Sequence, residues 1–183
     1  MKGPLHILKL ALTLLAITSC VALALAGVNY LTKDVIASSQ AQKLQAAIEE
    51  VLPGDGEELE ADAYKDETAM VSSVYAGENG YAVEVRPVGF NGEITMMVGV
   101  SPAGKVLGIA VVSQTETASL GAEAAADSNK GQSFRDQFVG LEGQLAVKSD
   151  GGSIDAISGA TITSRAVTEG VSAALACIKS ITG

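Results

Sequence analysis

From Leu10 to Thr32 the chain runs 23 residues without a charged side chain. At about 1.5 Å of rise per residue, a helix of that length crosses a hydrocarbon core of about 30 Å. A chain of 183 residues has room beside it for one ordinary domain, not for two large ones. The run therefore predicts four parts: an amino-terminal stretch over 1–9, a transmembrane helix over 10–32, a membrane-proximal helix and linker over 33–56, and a folded domain over 57–183. It also accounts for a mean hydropathy of +0.31, high for a soluble protein.

Charge is divided around the run. Lys2 and Lys9 precede it, whereas all 21 acidic residues follow it together with the other ten of the 12 basic ones, giving that part a net charge of −11. The asymmetry predicts a cytoplasmic amino terminus and an external acidic domain, held in the cell (inner) membrane by a single span. An acidic body repels phosphate backbones, which argues against nucleic acid as partner. Two other readings of the segment remain open. Ala24-Leu25-Ala26 satisfies the small-x-small rule for a cleaved secretory signal, and Cys20 after Ile17-Thr18-Ser19 loosely resembles a lipoprotein site. The retained anchor accounts for more, because a helical pattern continues through Leu31 to Val51 and meets no turn signal before Pro53-Gly54-Asp55-Gly56.

Beyond the anchor, Val35, Ile36, Leu44, Ala47, Ile48 and Val51 are spaced to share one helical stripe. Glu57 to Asp62 reads as a solvated loop or helix start. From Val71 the period becomes two: Tyr81, Val83 and Val85 alternate with Ala82, Glu84 and Arg86, and Ile94, Met96, Val98 and Val100 with Thr95, Met97 and Gly99. Ser101-Pro102-Ala103-Gly104 supplies a type I turn, and Val106 to Val112 a returning strand. Short helices are expected at Ala122–Ala126 and around Arg135, Phe138 and Leu141, with a brief strand at Leu145-Ala146-Val147. Val167, Val171, Ala174, Leu175 and Ile178 recur at three- and four-residue intervals, an amphipathic closing helix. The fold class is α+β, a largely antiparallel sheet flanked by helices and preceded by one transmembrane helix.

Absences narrow the chemistry. The only histidine, His6, lies before the span, so no Ser-His or Cys-His catalytic pair is available in the domain. Cys20 and Cys177 are isolated, without metal-ligand spacing. Neither G-x-G-x-x-G nor a Gly-Lys-Ser/Thr phosphate loop occurs. Asp127-Ser128-Asn129-Lys130-Gly131 begins like a calcium loop, but its glycine comes one place early and Phe138 stands where the closing glutamate belongs. No catalytic side chain and no metal site are assigned.

The segment that carries chemistry is Asp155-Ala156-Ile157-Ser158-Gly159-Ala160-Thr161-Ile162-Thr163-Ser164, just before the closing helix. Small residues and a glycine permit close approach, and a helix amino terminus offers unpaired N–H groups and partial positive charge suited to a phosphate. From the residues alone, an ordinary cap by Ser158, Thr161 or Thr163 is the favoured reading.

Asp155-Ala156-Ile157-Ser158-Gly159-Ala160-Thr161 resembles the flavinylation motif of the FMN-binding domain family. That family is found in the G subunit of the Rnf ferredoxin:NAD oxidoreductase and the C subunit of the sodium-pumping NADH:quinone oxidoreductase. The resemblance extends over nearly the whole chain, with D-x-x-S-G-A-T as its specific element. It implies FMN esterified through its 5′-phosphate to Thr161, installed by a flavin transferase that uses FAD and magnesium. It also makes Asp155, Ser158, Gly159, Ala160 and Thr161 the transferase's recognition signal. Glu116-Thr117-Ala118-Ser119-Leu120-Gly121 resembles the family's E-T-P-G-L-G loop, with Ala118 and Ser119 in place of proline and glycine. By that resemblance Glu116, Thr117, Leu120 and Gly121 join Ser158, Gly159, Ala160 and Thr163 around the cofactor.

The implied function is a membrane-anchored electron-relay subunit of an ion-translocating Rnf complex, partnered by the other Rnf subunits and not catalytic alone. A C-type subunit of the sodium-pumping reductase, or another respiratory FMN module, is the alternative, although C-type relatives are generally longer. A secreted or lipid-anchored binding protein without redox function is the rival of another class.

Overall fold

A computed structural model describes residues 4–54, 56–60, 63–66 and 68–183, with side chains from Leu8 onward. Lys2, the side chain of His6, Asp55 and the pair Ala61-Asp62, on which parts of the sequence reading fall, lie outside the described residues. The chain divides into two compact units, Met1–Gln42 and Lys43–Gly183.

The first unit consists of helix α1, which spans Pro4–Val51 and so enters the second unit in its last turns. Its apolar residues point all around the axis: Leu12, Leu15, Leu23 and Leu25 are each exposed. A helix apolar on every side has no single face to bury in a soluble core and is suited to lipid. Within Leu8–Val51 it is long and apolar enough to cross a membrane. Its threonine hydroxyls bond back to the helix, Thr13 Oγ1 donating to the Lys9 carbonyl at 2.8 Å and Thr32 Oγ1 to the Val28 carbonyl at 2.9 Å. Such back-bonding pairs those threonine donors without help from solvent. Where the uncharged run ends, the Lys33 ammonium sits 5.0 Å from the Tyr30 ring centre, an aromatic-cation pair of the type that marks membrane interfaces.

In the second unit, five strands form an antiparallel meander in sequence order: β1 (Glu57–Glu58), β2 (Val71–Gly77), β3 (Gly80–Val85), β4 (Thr95–Val100) and β5 (Val106–Ser113). The expected turn after β4 is present, with the Gly104 N–H on the Ser101 carbonyl at 2.9 Å. Alternation in β3 and β4 suggests a sheet buried on one face, but Ala82, Glu84 and Met97 are as buried as Val83 and Val98. The reason is a second cover. Ala47, Ile48, Val51 and Leu52, at and just beyond the end of α1, pack on Ala82, Met97 and Ala110. Of the expected stripe, therefore, only the part from Leu44 onward faces protein, while Val35 and Ile36 are exposed.

The other face carries the main core. Helix α3 (Thr161–Thr182) lays Val167, Val171, Ala174, Leu175 and Ile178 on Val83, Val85, Met96 and Val98. Cys177 lies in this core, where burial pushes its thiol up to about 11, leaving it a protonated apolar group. The first short helix is a 3-10 turn at Gly121–Ala125. The second, α2, spans Asn129–Asp136 and starts earlier than Arg135 and Phe138 imply, because Ser128 caps it by accepting from the Gly131 N–H. Phe138 lies beyond α2 and meets Phe134 edge to face at 5.4 Å. Leu145-Ala146-Val147 forms no strand; Val147 makes one parallel bridge with Ile154.

Candidate functional site

Three segments meet at the amino end of α3: the turn between β3 and β4, the loop after β5, and the loop 154–160. Ile154, Ile157 and Ala160 are buried and anchor the last, while Ser158, Gly159 and Thr161 between and after them are exposed. The anchor is reinforced by Ser164, whose Oγ accepts from the Ile157 N–H at 2.9 Å and donates to the Ala160 carbonyl at 3.0 Å. Gly159 has φ of +79°, a conformation that favours glycine.

The hydroxyls of the segment have separate uses. Ser164 holds the loop, Thr168 donates to the Ser164 carbonyl at 2.8 Å, and Thr163, fully buried, donates to a Glu116 carboxylate oxygen. None of them caps the helix. The cap residue is Ala160, with no side-chain bond, so the caps allowed to Ser158, Thr161 and Thr163 are not made. The first intrahelical bond is from the Ser164 N–H to the Ala160 carbonyl at 2.9 Å. The N–H groups of Thr161, Ile162 and Thr163 thus point from the helix start with no protein acceptor among the described residues, and the Thr161 hydroxyl is exposed in the same turn. Unpaired donors and the positive helix end favour an anion there.

Glu116 ties the three segments together. Its buried carboxylate accepts from the Asn91 N–H at 2.8 Å with one oxygen and from Thr163 with the other. Asn91 Nδ2 also donates to the Thr115 carbonyl at 2.7 Å. Gly121 is required by this tie, since a Cβ there would stand 2.5 Å from both the Glu116 carboxylate and the Thr163 hydroxyl. Leu120 reaches toward the motif, its Cδ2 lying 3.0 Å from where a Gly159 Cβ would stand, and remains 41% exposed. Thr117 is exposed, its carbonyl accepting from Leu120 and Ala122. Ser119, in place of the family's glycine, has φ of +62°, a left-handed conformation adopted at a cost by a residue with a Cβ.

The motif is held from its far side as well. Gln137 brackets Asp155, donating to its carbonyl at 3.1 Å and accepting from its N–H at 2.7 Å. The Asp155 carboxylate pairs with Lys148 at 2.7 Å on the surface. Arg165 grips Asp150 through two nitrogens, one at 2.9 Å, and this bond holds the Asp150 carboxyl below its ordinary value. Sequence reading missed Asn91, Gln137, Lys148, Asp150 and Arg165 as parts of this frame. Asn91-Gly92 is a turn signal that could have located the first; nothing local marks the others.

Residues 89–176 match the FMN-binding domain family, and residues 1–51 match the RnfG N-terminal region. The G subunit of a Na(+)-translocating ferredoxin:NAD(+) oxidoreductase complex from Acetobacterium woodii is 33% identical over 90% of this chain and 88% of its own. Its counterpart in a proton-translocating complex from Clostridium ljungdahlii is 36% identical over 87% and 84%. The G subunit of an ion-translocating oxidoreductase complex from Aliivibrio fischeri is 32% identical over 92% and 89%. The chain belongs to the G-subunit family of these complexes. Its FMN-binding domain contains all three converging segments apart from the first residues of the β3–β4 turn, and the amino-terminal match covers the whole of α1.

The site fits the cofactor that this membership implies. An exposed hydroxyl, three unpaired helix N–H groups and an exposed leucine over a glycine turn suit, in that order, an ester oxygen, a phosphate and an apolar ring.

Proposed function

We propose that this chain is the membrane-anchored flavoprotein subunit of an ion-translocating ferredoxin:NAD oxidoreductase complex, and that its FMN is esterified to Thr161. The carrying observation is the distribution of hydroxyls. Thr163, Ser164 and Thr168 are buried and engaged, whereas Thr161 is exposed in the first turn of α3, beside that turn's free N–H donors. Ser158 is also exposed but precedes that turn.

Attachment from FAD balances as a phosphoryl transfer. The Thr161 oxygen forms a bond to the flavin-side phosphorus, the pyrophosphate bond breaks, AMP leaves, and the hydroxyl proton is released. A separate flavin transferase with magnesium carries this out, reading the exposed Asp155, Ser158, Gly159 and Thr161. The resulting phosphodiester keeps one negative charge, which the start of α3 stabilises. Bound FMN supplies one- and two-electron redox chemistry. The chain's residues hold and orient it: Gly159 and Ala160 allow close approach, Thr117, Leu120 and Gly121 border the ring, and Glu116 and Thr163 brace the loops behind it.

The parts of the chain follow: residues 1–9 cytoplasmic, 10–32 across the cell (inner) membrane, 33–56 as membrane-proximal helix and linker, and 57–183 as the extracytoplasmic FMN domain. A permanent ester keeps the cofactor on a protein facing a compartment without free flavin. The other subunits of the complex are its electron partners. Producing the chain with a flavin transferase and viewing a denaturing gel under ultraviolet light tests the attachment. A fluorescent band that vanishes in Thr161→Ala supports it, and a band that persists in that variant overturns it.

A further inference from the structure

Apolar side chains of the second unit are not exposed at random. Among the described residues, six large ones stand exposed there: Val88, Phe90, Leu107, Leu120, Val139 and Ile162. Three of the six, Val88, Phe90 and Leu120, lie on the segments that Glu116 ties together, and a fourth, Ile162, is in the first turn of α3. Phe90 is the only aromatic residue among them and is 67% exposed. Leaving a phenylalanine largely in water, in a domain that buries Phe134 and Phe138, gives up the stabilisation that burying an aromatic side chain brings.

Its position is fixed by its neighbours. Phe90 sits at the tip of a tight turn in which the Gly89 N–H donates to the Gly92 carbonyl at 2.8 Å and the Ile94 N–H to the Pro87 carbonyl at 2.9 Å. Both flanking residues touch the Glu116 carboxylate. A Gly89 Cβ would stand 2.6 Å from Oε1, and the Asn91 N–H donates to that oxygen at 2.8 Å. The other oxygen holds Thr163, two residues from Thr161. The backbone of Phe90 is thus locked to the frame of the attachment site while its ring stays free. Such a turn presents an aromatic ring without having to order it first.

We propose that Phe90 packs on the isoalloxazine ring of the FMN carried by Thr161, closing the apolar cover begun by Leu120. This deepens the attachment reading and rests on it. Stacking against a flat aromatic system recovers the burial that Phe90 lacks and keeps water from one side of the ring. It also gives the buried Glu116 tie a purpose, since without the tie the ring of Phe90 would have no fixed relation to Thr161.

The test uses the full chain, purified in detergent after production with a flavin transferase. Tryptophan in van der Waals contact quenches flavin emission, so Phe90→Trp should lose most of its native flavin fluorescence and shorten the excited-state lifetime. Leu107→Trp, on β5 at the end remote from the loop, should leave both unchanged. Phe90→Ala should make the emission more readily quenched by iodide, through greater ring exposure. The denaturing gel reads the bond separately and should show equal bands for all these variants. Native emission of Phe90→Trp equal to that of Leu107→Trp, or iodide quenching of Phe90→Ala equal to wild type, overturns the stacking while leaving attachment intact. Absence of flavin from Thr161 overturns both.

Discussion

Glu116 shows how one side chain changes meaning between a string and a structure. In the sequence it is the first letter of a loop near a cofactor; in the fold its carboxylate is buried, accepting from Asn91 on one side and Thr163 on the other. Glu116→Ala removes the acceptor from two buried or half-buried donors and is expected to cost about 1–3 kcal/mol in chemical denaturation. Glu116→Gln keeps one acceptor oxygen and should cost less. Ser119 offers the opposite sign. Its left-handed backbone costs about 1–2 kcal/mol, of which glycine returns part to unfolded-chain entropy, so Ser119→Gly should stabilise the domain by about 0.5–1 kcal/mol. The family resemblance names glycine at that place, and the positive φ supplies the physical reason.

At the scale of elements, the loop 148–155 is fastened to α3 by Asp150 and Arg165. Because the folded-state carboxyl of Asp150 lies below its ordinary value, the pair contributes above about pH 4 and is lost as pH falls through the depressed pKa. Arg165→Gln should return that carboxyl to its ordinary titration, followed by its side-chain carbon shift in NMR. An unchanged titration would remove Arg165 as the cause. This fastening was not legible in the sequence, since Asp150 and Arg165 stand 15 positions apart with no periodic relation. What was legible had local causes: the period-two strands, the turn at Ser101–Gly104, the 3.6-residue stripe of α3 and the motif itself. The start of α2 was misplaced because the spacing of Arg135, Phe138 and Leu141 outweighed the cap at Ser128. The double burial of the sheet was hidden for a different reason: its second cover comes from the end of α1, about 30 residues before the β3 positions it hides.

For the molecule as a whole, that second cover sets where the folding unit begins. Chains starting at Lys43 retain Ala47, Ile48, Val51 and Leu52 on the sheet and should be water-soluble and cooperatively folded, whereas chains starting at Pro53 expose Ala82, Met97 and Ala110 and should unfold or aggregate. Within the longer form, Ile48→Ala should cost about 2–5 kcal/mol, read from its denaturation midpoint. In the proposed reading, anchor and flavin domain share one helix but ask different things of it, lipid contact along its uncharged run and sheet contact at its end. The central claim remains the ester at Thr161, and mass spectrometry of the proteolytic peptide that carries it tests that claim most directly. After production with a flavin transferase, the peptide should gain the mass of FMN less one water, with fragment ions placing the gain on Thr161. An unmodified peptide, or a gain placed on Ser158 or Thr163, would contradict the account.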